Sequence, residues 1–352
     1  MLMVKYTRRS QSILRILSIG CVLIVLAISN LACSGSAGPQ GEPGPQGQKG
    51  DTGATGPQGP AGGSLNLTDI ALQRWWQANQ SGIAYSVGTS PTAACFDGAN
   101  IWVANSVAGT LTKFRANDGL NLGNYAVGSS PVAMCFDGAN IWVAHGNNSV
   151  SKIAANNGSI VNTFTVGSNP SGVCFDGANI WVANAGSNNL TKIKANNGAV
   201  LGTYNVGTNP KAICFDGTNI WVANDGSNNV NKIKASDGTI LGTYNVGTNP
   251  RSICFDGTNL WLGNYGSNNI SKVRAIDGGV VGTYSVSNPT AVCFDGQSIW
   301  VANDLNNSVN QFRASDGLTV GIYIVGANPR SICFDGANIW VVNYGSNNIS
   351  KL

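Results

Sequence analysis

The stretch CFDGANIWVAN, Cys95 to Asn105, returns six more times as CFDGANIWVAH, CFDGANIWVAN, CFDGTNIWVAN, CFDGTNLWLGN, CFDGQSIWVAN and CFDGANIWVVN. Its seven cysteines, Cys95, Cys135, Cys174, Cys214, Cys254, Cys293 and Cys333, follow one another at intervals of 40, 39, 40, 40, 39 and 40 residues. A repeat near forty residues, punctuated by Asp-Gly and Asn-Gly, is the period of β-propeller blades. The fourth copy shows how one period divides. Lys211 to Phe215 is a short apolar run closed by Asp216-Gly217, and Asn219 to Ala223 is a second, closed by Asp225-Gly226-Ser227-Asn228. Val230 to Lys234 alternates before Ser236-Asp237-Gly238, and Thr239 to Val246 is the fourth run. Four strands and their turns fill the period, and helical periodicity is absent.

The two ends of the repeat region complement each other. The seventh copy runs out at Leu352 after its third strand, while Ser81 to Gly88 before the first copy matches the fourth-strand pattern of Thr239 to Gly247. The expected fold is therefore all-β: a seven-bladed propeller over residues 81–352, with four-stranded antiparallel blades. An N-terminal strand would complete the last blade and remove its open edge. The run Val-Gly-x-x-Pro, apolar strand, Asp-Gly, Ile-Trp-Val-Ala-Asn and Ser-Asn-Asn-Val-x-Lys-Ile resembles the YVTN and NHL-type propellers, and is similar to streptogramin lyase-like propellers. The resemblance implies the fold strongly and an activity weakly. It also implies, for an enzyme of the lyase-like type, a His- and Glu-containing metal site at the channel mouth. The chain's one Glu is Glu42, far from the repeats, and its one His is His145.

Seven equal features on a pseudo-symmetric ring read as construction. The tryptophans (Trp102, Trp142, Trp181, Trp221, Trp261, Trp300 and Trp340) are expected to fill the spaces between blades, and the Asp before each Gly to bond local backbone. The seven cysteines are odd in number. Facing sheets stand about 10 Å apart, whereas a disulfide needs Cα atoms within about 7 Å. Small buried thiols on the innermost strands are the expectation. Metal ligation needs converging side chains that separated strands do not supply, so neither metal nor cofactor is expected.

The first eighty residues have another character. Lys5, Arg8, Arg9 and Arg15 precede an apolar run from Ile16 to Ile28, too short for a membrane-crossing helix and suited to an export signal. Leu31-Ala32-Cys33 resembles the end of a bacterial lipobox, with Asn30 where Leu usually stands. Residues 1–33 then form a signal ending at an acylated Cys33, the alternatives being ordinary cleavage or an uncleaved anchor. Over residues 34–63 glycine falls at every third position from Gly35 to Gly62, with prolines between. Only glycine fits the axis of three wound polyproline-II chains, so this register predicts a collagen-like stalk, roughly 80 Å long. Residues 64–80, including TDIALQRWWQAN at Thr68 to Asn79, form a neck or linker with a short helix capped by Thr68.

Five of the 20 basic and two of the 16 acidic residues precede Ser64, leaving 15 and 14 for the rest. So neutral a body gives no electrostatic ground for nucleic acid. Chemistry-bearing residues are also few: no Ser-His-Asp set, phosphate loop or zinc spacing occurs. Function is better sought where the repeats differ. By propeller geometry the fourth-to-first strand loops share a face with the second-to-third strand loops. On that face the residue after the loop proline is Thr92, Val132, Ser171, Lys211, Arg251, Thr290 or Arg330, and the other loop offers His145, Ala185, Asp225, Tyr265, Asp304 and Tyr344. Lys211, Arg251, Arg330, Tyr265, Tyr344, Asp225, Asp304 and His145 are the candidate ligand-binding set, suited to a polar, partly anionic or glycan ligand.

The expectation is a non-enzymatic binding or adhesion module, exported, lipid-anchored to the cell envelope or surface, and homotrimeric through its stalk. Its ligand would be a glycan or a protein. The alternatives are an envelope enzyme of the lyase-like propeller type and an architectural surface-layer component.

Overall fold

The computed structural model describes residues 83–352. The signal with Cys33, the stalk, the neck, and Ser81 and Gly82 of the expected closing strand lie outside the described residues. Twenty-eight strands, β1 to β28 in chain order, form seven four-stranded antiparallel sheets. The fourth blade is typical: β14 (Pro210–Phe215), β15 (Asn219–Asn224), β16 (Asn229–Lys234) and β17 (Ile240–Asn245) lie in that order from the innermost strand outward.

Closure follows the expected scheme. In the last blade β26 (Pro329–Phe334), β27 (Ile339–Asn343) and β28 (Asn348–Lys351) are completed by β1 (Ile83–Ser86), with Ile83 opposite Lys351 and Ser86 opposite Asn348. The Asn347 side chain also accepts a hydrogen bond from the Ser90 amide at 2.8 Å, tying the last blade to the first.

The hydrophobic core is divided into wedges between blades. One wedge joins Trp181, Ala183 and Leu190 of the third blade to Ile213, Ile220, Val222 and Ile233 of the fourth. Six of the seven repeat tryptophans have no exposed surface and Trp300 is 8% exposed. Burying an indole strands its N–H unless an acceptor is supplied. Here the Asp of each Cys-Phe-Asp-Gly turn supplies it, with Trp221 Nε1 donating to Asp216 Oδ2 at 2.7 Å and the other six pairs at 2.7–2.8 Å. The same carboxylate accepts the amides of Thr218 and Asn219. The Asp therefore ends one strand, shapes the turn and satisfies the core indole.

A second staple runs from blade to blade. Lys232 Nζ lies 5.2 Å from the centroid of the Trp221 ring and donates to the Ala275 carbonyl of the next blade at 2.7 Å. Lys113, Lys152, Lys192, Lys272 and Lys351 do the same toward Ala155, Ala195, Ala235, Ala314 and Ala116. The sixth blade carries Gln311 instead, which bonds Ser298 and Tyr323 within its own sheet. Gly238 illustrates another close approach: at φ +81° its Cα abuts the Tyr204 ring of the preceding blade, leaving no room for a Cβ.

The seven repeat cysteines sit on the innermost strands and are free. Cys95 is buried, whereas the other six are half-buried rather than fully enclosed. The innermost strands have no further strand inside them, only the central channel.

Candidate binding site at the channel mouth

One irregularity, repeated in every blade, builds the site. Pro210 pairs with Asn224 and Ala212 with Ala223, so Lys211 is an extra residue with no partner across the strand pair. Equivalent bulges fall at Thr92, Val132, Ser171, Arg251, Thr290 and Arg330. A bulge re-aims its side chain. The residue before each of these prolines has a positive φ near +50°, as at Asn209 and Asn249, a conformation asparagine tolerates well. Positive φ, proline and bulge together turn a uniform strand start into seven positions where the residue can vary without disturbing the ladder.

Six of those seven residues converge. Thr92, Ser171, Lys211, Arg251, Thr290 and Arg330, with Tyr344, line an open cavity of about 390 Å³. A second cavity, about 240 Å³, continues along the innermost strands of all seven blades past small residues such as Ala94, Ala212 and Ser331. A larger groove of about 580 Å³ lies near the first two Asp-Gly turns, but Asp97, Asn100 and Lys113 on its wall recur around the ring and are already hydrogen-bonded. The mouth is where the blades differ.

Two arginines there are held by matching sets of partners. Arg251 Nε donates to Asp225 Oδ1 at 3.2 Å, and its guanidinium carbon stands 3.8 Å from the centroid of Tyr265. Asp225 belongs to the preceding blade and also accepts from the Asn209 side chain at 2.8 Å. Arg330 repeats the arrangement more loosely, 3.8 Å from Asp304 of the preceding blade and 5.0 Å from the Tyr344 ring. Asp304 likewise accepts from Asn328. Among the described residues Lys211 makes no salt bridge.

The sequence set is thus sorted into layers. Lys211, Arg251, Arg330 and Tyr344 face the cavity. Asp225 and Asp304, 6% and 5% exposed, are buried behind it as anchors for the arginines, and Tyr265 serves as the stacking surface under Arg251. His145 requires a correction: it does not belong with the loop residues. It ends its strand opposite Pro131, in the place that Asn105, Asn184 and Asn224 take in other blades. It is 2% exposed, with its Nε2 2.9 Å from Ser151 Oγ and its Nδ1 3.3 Å from the Ser129 carbonyl. Burial pushes its pKa down against the smaller opposing effect of that carbonyl, which favours the neutral ring. Its loop is one residue shorter than the others, which shifts the apparent alignment. The signal that sequence reasoning missed is the hydroxyl group of Thr92, Ser171 and Thr290, each donating to the next blade's proline carbonyl at 2.9, 2.6 and 2.7 Å.

Among the described residues no group of three His, Cys, Asp or Glu is placed to hold a metal ion. No protein-family model matches the chain. No characterised protein matches it by sequence. Solved structures do resemble its fold. A streptogramin B lyase superposes with a TM-score of 0.67 at 17% identity, covering 78% of this chain and 98% of that one. The hydrazine synthase of Kuenenia stuttgartiensis superposes with the same TM-score at 19% identity and the same coverage. At such identity the likeness is one of architecture, and the chain is a seven-bladed β-propeller similar in fold to the streptogramin lyase-like proteins.

Proposed function

We propose that the propeller is the ligand-binding head of an exported surface protein, lipid-anchored through Cys33 and raised from the envelope by the collagen-like stalk of residues 34–63. The head captures its ligand at the channel mouth and performs no chemistry on it. One observation carries this reading: the bulged residue after the loop proline changes from blade to blade, and six of those seven residues, Lys211, Arg251 and Arg330 among them, meet with Tyr344 on a single cavity. A pocket of several hundred Å³ with a few fixed polar groups is of the size that takes small ligands or a side branch of a larger one. The enzyme reading lacks reagents: the propeller has no Glu, and its one His is buried and fully engaged. The lyase and the synthase it resembles in fold share too little sequence to lend it an activity.

The test is a glycan and matrix-protein array probed with the exported protein and with its Lys211→Gln/Arg330→Gln variant. Binding that the variant loses, with unchanged thermal unfolding, supports the reading. Binding that survives the double change places the site elsewhere.

A further inference from the structure

The mouth presents two kinds of polar group whose demands on a ligand are opposite. The first set is donors that cannot accept: Lys211, and the outer N–H groups of Arg251 and Arg330. Arg251 bonds its Asp through Nε, and Arg330 stands too far from Asp304 for a hydrogen bond. The second set is Thr92, Ser171 and Thr290, and the blade of Thr290 lies between those of Arg251 and Arg330. Each has spent its one proton on a proline carbonyl of the next blade, so toward the cavity its oxygen offers only lone pairs. A ligand filling the pocket must bring acceptors, preferably anionic, to the first set and O–H or N–H donors to the second. Tyr344, 37% exposed, adds a flat apolar face to the lining.

Charge narrows the class further. Three cations face the cavity, and two carboxylates, Asp225 and Asp304, stand behind the arginines. The local balance is one positive charge, with its positive end toward the ligand. One anionic group is matched; a densely charged chain is not. The Asp225 carboxylate and the Tyr265 ring also hold the Arg251 guanidinium, and a held planar fork suits a carboxylate better than a point charge does.

We infer that the mouth binds an acidic sugar residue, with its carboxylate on the Arg251 and Arg330 guanidiniums, its hydroxyls donating to Thr92, Ser171 and Thr290, and its C–H face on Tyr344. This deepens the binding reading above and rests on it. Hydroxyl donors, one carboxylate and an apolar ring face are the attributes of a uronic or sialic acid, and a neutral sugar or a bare inorganic anion has only some of them.

The experiment is calorimetric titration of the exported protein with the methyl glycosides of glucuronic, galacturonic and N-acetylneuraminic acid. Each is compared with its uncharged methyl ester, and inorganic sulfate serves as the anion alone. The expected result is that at least one acid binds, and that its ester binds at least tenfold more weakly. Sulfate should be weaker still, and Arg251→Gln or Arg330→Gln should each lose at least tenfold. Lys234→Gln, at an exposed cation on an outer turn, should bind like the unaltered protein. An ester that binds as well as its acid, sulfate that binds as tightly, or arginine variants that retain affinity each overturn the inference. If none of the acids binds while a neutral array ligand does so in a manner dependent on Lys211 and Arg330, the inference fails and the mouth remains a binding site. If neither panel nor array gives binding, both readings fail.

Discussion

At the scale of single residues, the repeated Asp explains more of the fold than its exposed turn suggests. Replacing Asp216 by Ala removes the acceptor of the buried Trp221 indole and of two turn amides. The expected cost is about 1–3 kcal/mol, the usual range for an orphaned buried donor, read as a lower unfolding temperature. Burial pushes this carboxyl upward, but the Trp221 indole and the Asn219 and Thr218 groups outweigh it and hold it below the usual range. A depressed folded value means stability present above the ordinary carboxylate range and lost as pH falls through the folded value. His145 acts in the same direction at higher pH. Its folded value lies below that of a free histidine, so stability falls as pH drops below about 6.5. His145→Asn should flatten that part of the stability profile while leaving the carboxylate part; an unchanged profile in chemical denaturation from pH 7 to pH 5 would contradict this. The thiols give a separate prediction. Burial pushes Cys293 up to about 12 and Cys95, Cys174, Cys254 and Cys333 well above the ordinary thiol value. They should resist alkylation at pH 8 in the folded protein, and all seven propeller cysteines should react once it is unfolded without reductant. Mass spectrometry that finds disulfides between them would contradict the structure.

At the scale of strands and blades, the seam between first and last blades carries the closure. Deleting Ile83–Ser86 leaves β28 with an unpaired edge and strips Tyr85 from its contacts with Phe114 and Trp340. Aggregation or a large loss of thermal stability is expected; a deletion that melts like the intact protein would contradict ring closure. Much of this level was legible beforehand, because blade period, turn pairs and the complementary ends all lie in local sequence. The expected limits of the fourth blade differ from β14 to β17 by a residue or so at their ends. What was not legible is which side chains meet. Nothing in the sequence shows that Lys232 reaches the Ala275 carbonyl of the next blade, or that the Asp216 carboxylate turns to the Trp221 indole of its own sheet. The bulge is a similar case. Proline and asparagine marked a loop, but the two-against-one pairing that points Lys211 at the mouth is a property of register. Register also explains His145, whose shortened loop hid its place at the strand end.

For the whole molecule, the proposed stalk and the head belong to one hypothesis. A lone collagen strand has no internal hydrogen bonds, so the glycine period of residues 34–63 is the ground for proposing three chains wound together. Three heads on one such stalk would turn a weak mouth into an avid one, since the second and third contacts would be effectively intramolecular. Residues 34–352 without the acyl group should sediment as trimers when cold and concentrated, and removal of residues 34–80 should leave monomers. A long form that stays monomeric in the cold would remove the avidity argument.

Hydrogen–deuterium exchange on the exported protein, with and without a ligand found on the array, distinguishes the varied mouth from the repeated Asp-Gly face as the working surface. Slower exchange is expected in peptides spanning the bulges at Lys211, Arg251 and Arg330 and the loop at Tyr344, with no change at the Asp-Gly turns. Protection confined to the turns at Asp97, Asp216 or Asp335, with the mouth unaltered, would contradict it.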